Sequence, residues 1–316
     1  TIEAVDELTV RFSLCAPEPA FPSKIAFTSN SIQPLEWLQE TGGGGEGSEL
    51  LVHPVGTGPY KVGEWKRGDE LVLVRNDDYW GEQAKEPTVV FRWSSEAAQR
   101  FLELQAGTVD GIDNVGTDDF EKVRSDSNLE LLIRPALNIF YVGMNNNYPP
   151  FDNARGGKAI AMGIARHRIV DNFFPEGSEV ATHFTPCAIP NACTGESWYE
   201  FDPEAAKALL AEAGFADGFE TELAYRDVVR SYLPQPGVVA QDIQAQLKEN
   251  LNITVNINVM ESGAFIDAAD SGELTGLHLL GWGADFPDMT NFMDYHFGAG
   301  SAPQFGKQFE DIPAAL

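Results

Sequence analysis

Positive charge is what this sequence has least of. Lys and Arg number 21 against 48 Asp and Glu in 316 residues, a formal net charge of −27. Such a surface repels phosphate backbones and anionic lipid headgroups, which argues against nucleic acid and charged membranes as partners. It favours solubility and cationic ligands, and a salty or hot habitat would leave the same mark. Histidine is scarce too, five in all, which leaves little material for a metal centre. No apolar run approaches the roughly 20 residues of a membrane-spanning helix. The chain opens at Thr1-Ile2-Glu3 without Met, so its start is expected to be processed or trimmed.

Cysteine is the third scarcity, with three residues. Cys187 and Cys193 bracket a turn-rich segment, Ala188-Ile189-Pro190-Asn191-Ala192. They are expected to close a small disulfide loop, which suits an oxidising compartment. Two reduced loop thiols, or half of a metal site with His183 close by, are the competing readings; no metal is assigned. Cys15 ends a strand and reads as a buried thiol.

What is present points to a layered globular protein. Hydrophobic residues make up 43% of the chain, with 20 Phe, enough for real cores. The length predicts two domains or one large one. Leu8, Val10, Phe12 and Leu14 alternate with polar residues as in a half-buried strand. A glycine run at 42–45 marks a flexible loop. Residues 60–65 and 71–74 form a hairpin around Arg67-Gly68-Asp69, and 89–93 is another strand. Ser94 or Ser95 then caps a helix that ends before Gly107. Residues 109–112 and 129–133 read as strands about a small helix at 118–123. Gly56-Thr57-Gly58 lacks the Lys-Ser/Thr of a phosphate loop and precedes a strand, so its glycines read as turn residues.

A second unit begins near Asn138, with a strand at 139–144 and a broken helix from 158 to 173. Asp202-Pro203-Glu204 is a strong helix start: an acid N-cap, Pro at the first helical position and an acid in the first turn. After a strand at 220–225, Val239, Ile243 and Leu247 give a helix its apolar stripe. Ile253, Val255, Ile257 and Val259 alternate in the next strand, and a short helix at 264–269 follows. The apolar run 277–280 then leads into Gly281-Trp282-Gly283-Ala284-Asp285-Phe286-Pro287-Asp288, the stretch around which the chain is organised. A Trp and a carboxylate at a strand's C-terminal end, with glycines beside the ring, suit a cleft wall. The ring offers an apolar face and Asp285 an anchor for a cation. A core Trp beside a helix-capping Asp is the alternative. Asp288 or Thr290 caps a helix carrying Phe292, Met293 and Tyr295.

Catalytic patterns are missing. No Gly-x-Ser-x-Gly elbow or His-Glu-x-x-His helix occurs. Asp77-Asp78 and Asp118-Asp119 lie in polar turns, and His167 and His183 have no sequence neighbours that would make them acids or bases. Binding without chemistry is the expectation. A two-carboxylate glycosidase assembled from distant residues is the enzyme alternative.

Four segments, in order, resemble the extracellular solute-binding proteins of ABC importers, the peptide/nickel/dipeptide-binding family. They are Gly56-Thr57-Gly58-Pro59-Tyr60-Lys61-Val62 with Trp65, Gly68-Asp69 and Arg75-Asn76-Asp77-Asp78-Tyr79-Trp80-Gly81; Phe140-Tyr141-Val142-Gly143-Met144-Asn145-Asn146 with Pro149-Pro150-Phe151-Asp152, Lys158-Ala159-Ile160-Ala161-Met162 and Arg166; Phe201-Asp202-Pro203-Glu204-Ala205-Ala206-Lys207 with Ala213-Gly214-Phe215; and Gly281-Trp282-Gly283-Ala284-Asp285 with Pro287-Asp288 and Asn291-Phe292. The chain departs from the family at Gly157, where Arg is usual, at Ala165, where Asp precedes the helix, and at Met289, where a second Pro is common. The first two are expected to loosen a helix start without touching the ligand.

The resemblance implies a two-lobed α/β fold of the periplasmic-binding-protein type (type II, cluster C), here expected to be incomplete at both ends. Residues 1–136 would form the first lobe, with a remnant of a small extra domain near 1–50, and 137–316 the second. It further implies a receptor that closes on a ligand between its lobes and docks on an ABC permease. Such a protein is periplasmic or extracellular, lipid-anchored or free, monomeric, without a cofactor and without enzymatic activity. Asp285 would anchor a ligand's amino terminus and Trp282, with Gly281 beside it, would pack on a side chain. Of Phe140 and Tyr141 only one can face the cleft, because neighbours on a strand point oppositely. Arg226 would meet a ligand carboxylate. Oligopeptides or dipeptides are the expected ligands; oligosaccharides and nickel or haem complexes are the alternatives, and a sensor or chaperone of the same fold is a further one.

Overall fold

A computed structural model describes residues 1–45, 47–134, 137–309 and 311–312. It divides into two units, one of Ile25–Asp119 and one of Thr1–Lys24 together with Phe120–Leu316. The lobe boundary expected at residue 136 falls outside the described residues.

In chain order the elements are β1 (Ile2–Asp6), β2 (Thr9–Phe12), α1 (Phe21–Ile25), α2 (Leu35–Thr41), β3 (Tyr60–Lys66), β4 (Glu70–Arg75), β5 (Thr88–Arg92), α3 (Ala97–Gln105) and α4 (Phe120–Ser125). They continue with β6 (Asn138–Met144), α5 (Ala154–Gly163), α6 (Arg166–Phe173), α7 (Pro203–Glu212), β7 (Glu220–Arg226), α8 (Pro236–Leu251), β8 (Thr254–Met260), α9 (Ser262–Asp270), β9 (Leu277–Gly283) and α10 (Thr290–Phe297).

In the unit of Ile25–Asp119, β3, β4 and β5 form an antiparallel sheet in that order. Gly68, at φ 85°, supplies the left-handed residue of the β3–β4 turn. The segments flanking α3 are tied together by Arg100. Its guanidinium donates to the carbonyls of Ser94 (2.6 Å), Ser95 (3.0 Å), Asp113 (3.1 Å) and Asn114 (2.7 Å). Neither serine caps α3; Glu96 holds the N-cap position without a side-chain bond. The expected strands at 109–112 and 129–133 do not form. Leu132 and Ile133 are exposed and have no partner strand among the described residues, so β propensity alone does not order them.

The larger unit is built on a four-stranded sheet in the order β6-β9-β7-β8. β9 runs antiparallel to β6 and parallel to β7, and β7 is parallel to β8. Alternation sorts side chains to the two faces. Leu223, Tyr225, Val255, Leu277 and Leu279 join a core with Ile160, Leu210, Val239, Ile243 and Leu247 from α5, α7 and α8. The apolar stripe of α8 is wholly buried, as its spacing predicts. On the other face Ala224 and Leu280 pack with Phe265 and Ala269 of α9. Helix α7 starts as expected: Asp202 accepts from the Ala205 N–H at 2.9 Å and Pro203 takes the first position.

Near the N-terminus two readings change. The strand expected at 8–14 is a hairpin of β1 and β2 whose residues are all exposed, because two strands alone cannot bury a face. Cys15, past the end of β2, is an exposed free thiol with no core behind it.

Two histidines are buried near the sheet. His278 on β9 pairs in register with Gly143 on β6, and a Cβ at 143 would collide with its imidazole. Burial pushes His278 down to about 4 and His296 of α10 likewise to about 4. Both rings are therefore neutral. His296 Nδ1 carries its proton and donates to the Phe292 carbonyl at 2.7 Å, since a carbonyl only accepts.

The unfolded chain takes up protons on these rings near pH 6.5, the folded chain only near 4, so stability rises with pH between the two values. Each ring accounts for on the order of 3 kcal/mol over that window. Urea unfolding at pH 5 and pH 7 should show His278→Gln, which does not titrate and is no larger, losing less stability on acidification than wild type; an unchanged difference would mean the ring is not held neutral. In the same assay at pH 7, Asp202→Ala should cost about 1 kcal/mol through its lost N-cap.

Candidate ligand-binding site

A cavity of about 300 Å³ opens in the larger unit where β7 and β9 end. Leu280, Gly281, Trp282 and Gly283 of β9 line it, with Asp285 just beyond. Tyr141 of β6, Arg226 of β7, Arg230 and Tyr232 from the β7–α8 connection, Ile266 and Asp270 of α9, Tyr295 of α10 and Gln304 complete the wall. Thus Trp282, Asp285, Gly281, Tyr141 and Arg226 come together. Phe140 falls on the opposite face, packed against the α5–α8 core with its ring 5.9 Å from Phe174, and does not line the cavity.

One side chain organises the Trp–Asp pair. The buried Asn291, on the first turn of α10, accepts at Oδ1 from Trp282 Nε1–H (2.9 Å) and from the Asp285 N–H (3.0 Å). Its Nδ2 donates back to Asp285 Oδ2 at 3.3 Å. Helix α10 is fixed in turn by Asp288, whose Oδ1 accepts from the Thr290 N–H (2.9 Å) and hydroxyl (2.8 Å). The N-cap position of α10 is Met289, without a side-chain bond, so neither Asp288 nor Thr290 caps the helix as expected; Asp288 sits one residue ahead of it, and Asp285 is exposed. The Trp282 ring stacks on Tyr295 at 4.0 Å, and His296 meets it edge-on at 5.2 Å.

Gly281 serves by its size: a Cβ there would run into the Tyr232 ring and the Ile139 carbonyl. Tyr141 is enclosed by the rings of Phe184, His296 and Phe305 and donates its hydroxyl to Gln304 Oε1. Burial raises the Tyr141 phenol well above its ordinary value, so it stays a donor. Tyr295 is raised as well, first by burial and then by the nearby Asp270 and Asp285 carboxylates.

The Arg226 guanidinium bonds only neutral groups, Ser262 Oγ at 3.0 Å and the Tyr232 hydroxyl at 3.3 Å. No carboxylate pairs with it among the described residues. Arg230 adds a second cation and Asp270 a second anion to the lining. The cavity therefore presents charges of both signs between aromatic walls. Its lining contains no cysteine, serine or histidine among the described residues, and its acids are Asp270 and Asp285.

Sequence reasoning missed Arg230, Tyr232, Asp270, Tyr295 and Gln304 as wall residues and Asn291 as the pivot. Asn291 lies one helical turn after Pro287-Asp288 and was readable only as part of a motif. Gln304 carries no local signal, because it reaches Tyr141 across 163 residues of chain.

Behind the site, Cys187 and Cys193 are joined, with Cα atoms 5.2 Å apart. Their loop places Ile189 and Ala192 in a small core with Ile139 and Phe292, against which Trp282 packs. No helix among the described residues is long and apolar enough to cross a membrane.

Comparison with known proteins gives a consistent picture. The chain is 29% identical over 299 residues to heme-binding protein A of Haemophilus influenzae, covering 95% of itself and 54% of that protein. It is 27% identical over 318 residues to the dipeptide-binding protein of Escherichia coli, covering 98% of itself and 59% of the relative. A periplasmic binding protein associated with an ABC transporter of Helicobacter pylori, solved in complex with the peptide STSA, superimposes with a TM-score of 0.82 at 27% identity. That match covers 99% of this chain and 61% of the other. The chain thus spans between half and two thirds of the length of these relatives, and its α/β architecture is theirs. With residues 1–304 matching the family as well, the chain belongs to the bacterial extracellular solute-binding proteins, family 5.

Proposed function

We propose that the chain is the ligand-capturing portion of an ABC import receptor, with a short peptide as its ligand. The observation that carries this reading is the cavity's pairing of Arg226, which has only neutral partners, with Asp285 and Asp270 in one aromatic-walled space. A zwitterionic dipeptide or tripeptide satisfies both ends: its ammonium lies against Asp285 and its carboxylate meets Arg226. The names of the peptide-binding relatives support the same ligand class.

In this reading residues 1–136 belong to a first lobe and 137–316 to a second, and ligand held by both favours the closed state that docks on the permease. The protein works outside the cytoplasmic membrane as a monomer, free or lipid-tethered, and transforms nothing. Haem is the second reading. It rests on the relative named for heme binding and on two arginines, Arg226 and Arg230, that would meet its propionates.

Calorimetric titration with free and N-acetylated peptides tests the first reading, and a haem titration followed by absorbance tests the second. A charge-assisted hydrogen bond contributes about 1.5–3 kcal/mol, so Asp285→Asn should weaken free peptide by roughly ten- to a hundredfold. Acetylated peptide should bind wild type poorly and lose little more in the variant. Equal affinity of both proteins for free peptide would remove Asp285 from the site. Asn291→Ala should weaken peptide binding in the same direction and lower stability by about 1 kcal/mol, because the partly buried Trp282 Nε1–H and Asp285 N–H lose their acceptor; chemical denaturation measures the second effect separately.

A further inference from the structure

The connection between α6 and α7 gathers the ligand types of a thiophilic metal site. A ring nitrogen of His183 and the sulfurs of Cys187 and Cys193 lie within 4.8 Å of one another. In the oxidised chain the two sulfurs are bonded together and neither can hold a cation. The loop, however, is shaped by more than that bond. Ile189 and Ala192 are buried against Phe292. The Thr185 hydroxyl donates to the Ala192 carbonyl at 2.6 Å. The Ile189 and Ala192 N–H groups close turns onto the Pro186 and Ile189 carbonyls, each at 3.1 Å.

The imidazole is held in place as well. His183 Nδ1 is 2.9 Å from Thr182 Oγ1, which is itself 3.6 Å from Cys187 Sγ. His183 Nε2 is buried without a hydrogen-bond partner among the described residues. A buried polar atom without a partner carries its full desolvation cost, which a change in the loop's chemistry can relieve.

We propose that opening this disulfide with a dithiol reductant converts His183, Cys187 and Cys193 into a three-ligand site for one divalent ion of the zinc class, with the fourth position left to water. The opening step is thiol–disulfide exchange. One thiolate of the reductant attacks a cysteine sulfur, its second thiolate displaces that sulfur, and the reagent leaves as its own disulfide, two electrons and two protons having passed to Cys187 and Cys193. Metal binding then expels both thiol protons, so two thiolates, a neutral imidazole and a divalent ion form a site without net charge. Exposure of Cys187 gives reductant and ion a way in. The same two sulfurs serve as a covalent staple or as a metal clip, never both at once.

The test uses the chain carrying Cys15→Ser, which removes the free exposed thiol. The protein is reduced and desalted without oxygen, then titrated with Zn²⁺ by calorimetry and with Co²⁺ by absorbance. The expected result is one equivalent of metal, release of two protons and a sulfur-to-cobalt charge-transfer band, none of which the oxidised chain shows. Surface carboxylates give no such band. His183→Ala should weaken binding by roughly tenfold or more, with an unchanged circular dichroism spectrum. Absence of the band in a reduced chain that keeps its folded spectrum overturns the proposal, as does His183→Ala binding as tightly as its parent. Loss of the folded spectrum on reduction overturns it too, since the ligands then have no scaffold.

Discussion

A strand enclosed on both edges and both faces has no water to satisfy its backbone, so every peptide group must find a ladder partner. β9 starts in that position, with β6 along its whole length on one edge, β7 beside Leu277 and His278 on the other, and its first five residues buried. This pins its register, and register decides which side chain goes to which face. Leu277 and Leu279 are committed to the α5–α8 core and Leu280 to the α9 side. Where the β7 ladder stops, the strand comes out from between its neighbours and becomes a wall. The glycines on either side of Trp282 lie where core gives way to cavity. Cavity geometry in this unit is thus inherited from sheet geometry, and Asn291 carries that order one step further, into a loop that has no ladder of its own.

What could be read in advance follows the same division. The α7 start, the α8 stripe, the alternation of β8 and the β3–β4 hairpin are local patterns, each written within one element, and each forms. The Trp282–Asp285 motif was legible as a cleft candidate from its residue types at a strand's end, with a core Trp beside a helix-capping Asp as the equal alternative. What escaped is non-local. Tyr232 enters the wall because Gly281 makes room for it, and Gln304 because Tyr141 needs an acceptor. The strand readings at 109–112 and 129–133 failed for a related reason: apolar β-branched residues state a preference, and only a neighbouring strand turns it into structure. Cys15 likewise carries no sign of whether a core lies behind it.

The electrostatics of the cavity run against the composition of the chain. With 48 acidic residues against 21 basic ones, a guanidinium would be expected to find a carboxylate, as Arg11, Arg75, Arg92, Arg124, Arg155 and Arg168 do. Arg226 instead rests on a serine and a tyrosine hydroxyl. These neutral partners fix its direction without cancelling its charge. A negatively charged surface of this kind draws cationic groups toward the protein from a distance; in the proposed reading Arg226 then selects at short range for those that also bear an anion.

The contact between Gly143 and His278 reaches beyond the present sequence. The imidazole occupies the volume that any side chain at 143 would need, and the ring fits only because its partner across the β6–β9 ladder has none. Neither position can enlarge alone. Over evolutionary time the two sites should therefore trade bulk as a pair: relatives with a smaller residue at the position of His278 are free to carry a side chain opposite it, and those that keep the ring are bound to glycine.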